Sequence, residues 1–471
     1  MNWLFEKVNK SVIITDAQLV AAFDFGKIQE SFDSVSRKKT SGIDGTTVEM
    51  FTANKEENFN VIRNKSLNGT YRFAPYLQKL QTKGKGKAPR VISIATIRDR
   101  VVLHIIKGLV QKAFPDCVNR KLPNNYVKDI NTFYSIHGQD KSLCHYKTDI
   151  KGFYDTIPHN GLLVKVAARA ESTRFLSLLE KSIKNPTVNF GRKRPGKDIH
   201  NKKGVPQGLS ISNILADIYL RDTDIVLSGL ATEYFRYVDD IILFNLGTNK
   251  SCLRESVQKQ IEETGLELHE TKTTCKKEDK TFEYLGYKFE FPTITIRSSS
   301  IDNFINSVAS MVSSFKNNSL SETKKYKWID SDAYKRIFIE KLNEKITGAI
   351  SENKRYGWLF YFLEINDECL LHRMDRIIES FFERMDEFGY QRPPELKRLS
   401  RAYFEASYNS HGNYIHNYNK FVTLQEKADY LNKLGKLNPD STYSEEEIVF
   451  LFEKIKMQNL MYLEKDIGDI S

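Results

Sequence analysis

The chain has 471 residues, 40% of them apolar, and a net charge of +11. The length suggests two to three packed units, the apolar content is enough for real cores, and no run of about 18 apolar residues offers a membrane span. The opening stretch MNWLFEKVNKSVIITD lacks the apolar core and small-residue cleavage site of a secretory signal. The five cysteines (Cys117, Cys144, Cys252, Cys275 and Cys369) form no CxxC, so neither a disulfide framework nor a zinc site is expected. A reducing cytoplasm is the expected setting.

The first hundred residues are mixed. AQLVAAFDFGKIQESFDSV has the apolar spacing of one amphipathic helix. SGIDG, Ser41 to Gly45, reads as a turn. YRFAPYLQKLQTKGKGKAPRVISIAT reads as a hairpin whose two strands flank a Gly/Lys-rich loop. IRDRVVLHIIKGLVQKAF is helical. From Arg63 to Lys112 there are twelve Lys/Arg and one acid, Asp99, an excess equal to that of the whole chain. Positive charge so concentrated suits a polyanion with regularly spaced phosphates, or else a solvated surface.

KSLCHYKTDIKGFYDTI begins as a strand and ends in a turn. HNGLLVKVAARAESTRFLSLLEKSI reads as helix, and NFGRKRPGKDIHNKKG as a second basic, glycine-bearing loop. SISNILADIYLRDTDIVLSGL is a long amphipathic helix. FRYVDDIILF is a strand, a tight turn and a strand; CLRESVQKQIEETGLEL is helical; FEYLGYKFEF reads as strands. Past about residue 300 the pattern is mostly helical, with a break at the paired prolines of QRPPEL.

Three acidic positions stand out. Asp149 closes the apolar end of CHYKTDIKGFYD, and Asp239 and Asp240 sit at the turn of FRYVDDIILF. Unpaired charge is expensive to bury, so two adjacent carboxylates inside a strand-forming run belong at an exposed tip or against something positive. A strand ending in one carboxylate, laid beside a hairpin carrying two more, would gather three acids that repel one another unless divalent cations join them. An all-oxygen donor set suits magnesium, and two such ions serve phosphoryl transfer. Each motif alone also fits a plain hairpin turn.

The ordered set TDIKGFYD, GVPQGLSISNILADIYL, RYVDDIILF, GLELHETKT and FEYLGYKF resembles the consecutive palm motifs of reverse transcriptases. SGIDG and KGKGKAPRVISIATIRDRVV resemble the fingers region of bacterial members such as group II intron and retron enzymes. The resemblance covers roughly residues 35–295. It implies an α+β, right-hand polymerase fold: an N-terminal segment and fingers over 1–115, a palm with an antiparallel sheet over 116–295, a helical thumb over 296–390 and a helical C-terminal extension over 391–471.

The resemblance also implies roles. Asp149, Asp239 and Asp240 match the metal-binding aspartates, with the Ile150 backbone beside them, for two Mg²⁺ ions, Mn²⁺ being a substitute. Tyr154 falls at the steric-gate position, which suggests deoxynucleotide preference, or it is a core tyrosine. Gln207 matches the residue contacting the incoming nucleotide, between Pro206 and Gly208. Arg90 matches the arginine that clasps the triphosphate, with Lys87 or Lys85 as companion. Lys272 in HETKT matches the lysine that protonates the leaving pyrophosphate, or it is a surface lysine. LGY, Leu285 to Tyr287, looks like the primer-grip turn. ISIAT stands where many relatives have IPT.

No Cys/His-rich endonuclease cluster follows, and neither a clear VTG-like nor a clear NAxxH-like signature of retron enzymes is present. KLNEKITGAISENKRYGWLFYFLEINDECLLHRMDRIIESFFERM reads as packed helices, similar to the helical extensions of defence-associated, abortive-infection reverse transcriptases. YFEASYNSHGNYIHNYNKF is rich in tyrosine and histidine; it reads as a base-stacking or priming segment or as a helical hairpin with a tyrosine-rich core. The expectation is an RNA-directed DNA polymerase in antiphage defence. Its expected partners are an RNA template, a noncoding RNA encoded nearby, dNTPs and the DNA product. No membrane is expected, and a homo-oligomer is compatible. Alternatives are a retron or group II intron-type mobile-element enzyme and an inert RNA-binding scaffold.

Overall fold

The structure is a computed structural model that describes residues 11–37, 40–82, 88–189, 200–247, 250–276, 281–325, 328–409 and 412–467. The fold is α+β, and packing divides the chain into two compact units: 1–121 with 140–278, and 122–139 with 279–471.

In the first unit, helices α1 (Asp16–Ala22) and α2 (Phe25–Ser36) replace the single helix expected from periodicity. Asp24 separates them because its carboxylate accepts the Gly26 N–H at 3.0 Å and starts a new helix. Helices α3 (Val48–Ala53) and α4 (Lys55–Leu67) follow, and Phe32, Phe51 and Phe59 interlock among them. Strands β1 (Tyr76–Gln81) and β2 (Arg90–Ile94) form the expected antiparallel hairpin; the loop lysines Lys85 and Lys87 lie outside the described residues. Helix α5 (Ile97–Ala113) starts at the Thr96 cap. Beside that cap, buried Asp99 accepts the Tyr71 hydroxyl at 2.7 Å and the Ala74 N–H at 3.1 Å, and burial pushes its carboxyl up to about 6.

Helix α6 (Pro123–His137) belongs to the second unit. The chain returns to the first through β3 (Leu143–Asp149), the short helix α7 (Phe153–Thr156), then α8 (His159–Ala167) and α9 (Thr173–Lys184). The sequence reads these last two as one helix; Ser172, capping Phe175 N–H at 3.2 Å, divides them. β4 (Thr187–Val188) pairs with β1. Within the second basic loop, residues 190–199 lie outside the described residues. Then come α10 (Ser212–Leu230), β5 (Glu233–Tyr237), β6 (Asp240–Leu246), α11 (Lys250–Glu262) and β7 (Thr274–Lys276). The four-stranded sheet has the order β5-β6-β3-β7, antiparallel throughout. Ile241 to Phe244 are fully buried in it; an apolar run of this kind marks a strand covered on both faces.

In the second unit, β8 (Thr281–Tyr284), β9 (Tyr287–Glu290) and β10 (Thr293–Ile296) make a meander. Leu285 and Gly286, both with positive φ, form the two-residue turn of LGY. These strands, expected to close the palm, pack with the C-terminal half. Tyr134 of α6 stacks on Phe291 at 3.8 Å. Helices α12 (Ser298–Lys325) and α13 (Ser331–Thr347) lead to β11 (Ala349–Ser351) and β12 (Lys354–Tyr356), a hairpin where helix was expected. Gly348 and Gly357 bracket it, and Glu352-Asn353, both at positive φ, make its turn.

Helices α14 (Trp358–Tyr361), α15 (Glu368–Phe382) and α16 (Leu399–Tyr408), strand β13 (His416–Asn417), and helices α17 (Leu424–Lys433) and α18 (Glu445–Leu463) complete this unit. The tyrosine-rich segment divides. Tyr418 is buried and donates to Glu344 at 2.6 Å, whereas Phe404 and Tyr408 of α16 are exposed. Among the described residues, no helix is long and apolar enough to cross a membrane.

Candidate active site

The site is built at one end of the four-stranded sheet. β3 and β6 run antiparallel in a register that sets Asp149 directly opposite Asp240, and such partners have Cα atoms about 5 Å apart. Asp239 is the second residue of the two-residue turn between Tyr237 and Asp240, and its carbonyl accepts the Ile150 N–H at 3.1 Å. The three aspartates therefore share one corner. The first residue of that turn, Val238, has φ 59°. A β-branched residue rarely adopts this conformation, which is characteristic of functional loops.

Electrostatics mark the corner. Burial pushes the Asp239 carboxyl above its ordinary range, and the Asp149 charge adds to it, while Lys272 and Arg90 oppose. Burial pushes Asp240 up to about 6; Lys147 opposes, and Asp149 and Asp239 reinforce. Lys272 Nζ donates to Asp149 Oδ2 at 2.7 Å, and Lys147 Nζ lies 3.7 Å from Asp240 Oδ1. Lys272 is brought there because the His269 N–H donates to the Asp149 carbonyl at 2.8 Å, which lays HETKT across the end of β3.

The nucleotide-contact candidates surround this corner. Gly152, at φ 57°, turns the chain into α7, where the Tyr154 hydroxyl donates to Asn213 Oδ1 at 3.1 Å. Burial raises the Tyr154 hydroxyl pKa, and the Asp217 and Asp239 charges add to it. The VPQG loop is laced to α7: Val205 N–H donates to the Tyr154 carbonyl at 2.7 Å, and Gln207 Nε2 to Asp155 Oδ1 at 3.2 Å. The loop also meets β2, whose Ser93 N–H donates to the Gln207 carbonyl at 2.7 Å. A Cβ at Gly208 would lie 2.7 Å from Ile92 Cγ2, and its φ is 97°, so glycine is required on both counts. Arg90 at the start of β2 faces the corner closely enough to act on Asp239 and Tyr154. Lys87 is outside the described residues.

The donor set fits a hard divalent cation in kind: oxygens only, with two carboxyls that hold their protons unusually long in the cation's absence. As the side chains stand, no three acidic, histidine or cysteine groups among the described residues form a ready metal cage. Lys272 and Lys147 supply positive charge to Asp149 and Asp240. Sequence reasoning missed Lys147, Asn213 and the buried Arg236. The signal for Lys147 was its period-two spacing from Asp149 along β3.

Residues 82–289 match the family described as reverse transcriptase (RNA-dependent DNA polymerase). The chain thus carries a segment of reverse transcriptase type over those residues. Its right-hand polymerase class follows from that match and from the sheet just described. The chain is 24% identical over 293 residues to Protein YkfC of Escherichia coli (strain K12), covering 53% of this chain and 75% of that protein. It is 26% identical over 172 residues to the uncharacterized 91 kDa protein in cob intron of Schizosaccharomyces pombe, covering 35% of this chain and 20% of the relative. Among solved structures, apo telomerase from Candida tropicalis, truncated from its C-terminal domain, aligns at TM-score 0.34 and 16% identity, over 53% of this chain and 60% of that chain.

Proposed function

We propose that this chain polymerises dNTPs on an RNA template by metal-assisted nucleotidyl transfer at the corner of Asp149, Asp239 and Asp240. The observation that carries the proposal is the register opposing Asp149 to Asp240, with Asp239 beside them in the turn. The three carboxylates and the Ile150 carbonyl would hold two Mg²⁺ ions. When bound, these neutralise the triphosphate and acidify the attacking 3′-hydroxyl.

The remaining work falls to the protein's own groups. Arg90, with a loop lysine, binds the triphosphate as a planar fork beside a point charge. Gln207 and the glycine-bearing loop seat the nucleotide against β2. The Tyr154 ring crowds a ribose 2′-hydroxyl, which selects deoxynucleotides. Lys272 exchanges its Asp149 partner for the leaving pyrophosphate and gives it a proton. Positioning and charge complementarity account for most of the barrier reduction. The chain divides functionally into fingers (1–115), palm (116–295), thumb (296–390) and extension (391–471).

A cytoplasmic role in antiphage defence with a dedicated noncoding RNA is the finer proposal; it rests on the similarity of the helical half to defence-associated enzymes. Sequencing the nucleic acid that copurifies with the protein from its host tests it. An RNA encoded beside the gene supports the proposal, and random cellular RNA contradicts it. Primer extension on an RNA template with Mg²⁺ and dNTPs tests the polymerase itself. The parent protein extends the primer, and the Asp239→Ala/Asp240→Ala protein does not; equal behaviour of the two would remove the proposal.

A further inference from the structure

One buried cation next to the corner has no part in the chemistry described so far. Arg236, on β5, has a side chain only 9% exposed. Its guanidinium is held from below by α10: Nε donates to Asp224 Oδ1 at 2.7 Å, Nη2 to Asp224 Oδ2 at 2.5 Å, and Nη1 to Asp217 Oδ1 at 3.1 Å. Tyr234 closes the network by donating to Asp224 at 2.6 Å. The same Nη1 also donates upward, to the carbonyl of Val238 at 2.9 Å.

That last bond lands on the one residue of the turn in a disfavoured conformation. Val238 sits at φ 59°, and its side chain packs against the core of the first unit. Its carbonyl belongs to the peptide that enters Asp239. The peptide leaving Asp239 is fixed on the other side, since the Asp239 carbonyl accepts the Ile150 N–H. Asp239 therefore stands between two anchored peptide planes, one tied to β3 and one tied through Arg236 to α10. The arrangement needs an arginine. Two donors engage Asp224 as a fork while a third nitrogen serves Asp217 and the carbonyl; a lysine ammonium is a point charge that cannot span all three.

We infer that Arg236 is a positioning residue that acts through the Val238 carbonyl, holding the turn in its left-handed conformation so that Asp239 meets Asp149 and Asp240. The inference rests on the reading of that corner as the metal and nucleotide site. It also ties the corner to α10, whose first turn is bonded to the VPQG loop by Ser212 Oγ donating to the Pro206 carbonyl at 2.6 Å.

The test compares parent, Asp239→Ala/Asp240→Ala, Arg236→Lys, and Arg236→Lys with Val238→Gly. Lysine keeps a positive charge beside the two buried acids, which guards against collapse of the fold. Mn²⁺ affinity is read by titration calorimetry, primer extension as kcat and KM for dNTP, and folding by thermal melting, with assays run below each protein's melting range. Removing a group that orients a metal ligand costs about 10–100-fold in metal affinity or activity. Arg236→Lys should fall by that amount in Mn²⁺ affinity and kcat, with KM within about twofold. Val238→Gly in that background should recover part of both, because glycine takes positive φ without strain.

An Arg236→Lys protein with parental Mn²⁺ affinity and kcat overturns the inference. So does a loss that Val238→Gly leaves unrelieved, which is what a merely structural arginine would give. If the parent itself neither extends primers nor binds Mn²⁺ in an Asp239/Asp240-dependent way, the polymerase reading fails instead, and the two failures stay distinct.

Discussion

Two carboxylates side by side in an apolar strand repel each other and resist desolvation, so their placement has to be repaid by a charge they are meant to meet. Asp239 and Asp240 were legible for this reason: nothing in a plain β-hairpin calls for them. Arg236 was not legible. An arginine two residues before an acidic turn reads as a solvated strand position, and only the fold places α10 with Asp217 and Asp224 beneath it. Tyr154 is the residue whose role is easiest to isolate. Tyr154→Val should relax discrimination against ribonucleotides by about 10- to 200-fold, the range a single pocket contact supplies, with deoxynucleotide incorporation largely kept; single-nucleotide kinetics with dNTP and rNTP read it. Asp239→Ala/Asp240→Ala should lower extension by about 10²–10³-fold or more, yet leave the metal-free melting temperature equal or higher, because it removes like charges from a half-buried corner.

At the scale of elements, periodicity found where helices lie but not where they restart. α1 and α2, and likewise α8 and α9, read as continuous because the apolar spacing runs on across the Asp24 and Ser172 caps. The β11–β12 hairpin was hidden because its strands are only three residues long, too short to show a period of two; the bracketing Gly348 and Gly357 were its signal. The palm-like sheet was easier, since β6 holds a continuous apolar run and both β3 and β6 carry an acid at the same end. The seam between the VPQG loop and β2 yields an element-scale prediction. Gly208→Ala puts a Cβ 2.7 Å from Ile92 Cγ2 at a φ of 97°. It should destabilise by about 1–3 kcal/mol and, on the proposal that the loop seats the nucleotide, raise KM for dNTP more than it lowers kcat. Melting and steady-state kinetics check both parts.

For the whole molecule, charge and buried acids set the response to solution conditions. The basic run from Arg63 to Lys112 predicts that RNA affinity falls linearly in log–log plots against salt, with a slope near −0.7 per phosphate neutralised on a single strand; a salt-independent affinity would contradict it. In the second unit, burial pushes the Glu344 carboxyl up to about 7 despite bonds from Tyr418 and Asn459. Its folded pKa therefore lies above the unfolded value of about 4.3. Between those values the folded chain keeps a proton that the unfolded chain releases. Stability from this group is greatest at low pH, declines as pH rises toward about 7, and is level above that. Glu344→Gln should flatten this slope, so that its melting temperature gains on the parent from pH 5 to pH 7 and no further.

The central claim is that three acids distant in the chain hold one pair of catalytic ions, and anomalous scattering from crystals soaked with Mn²⁺ and a dNTP measures it most directly. Peaks are expected within coordination distance of Asp149, Asp239 and Asp240, lost in the Asp239→Ala/Asp240→Ala protein. Manganese bound elsewhere, or a corner still ion-paired to Lys272 with nucleotide present and active protein in the crystal, would contradict it.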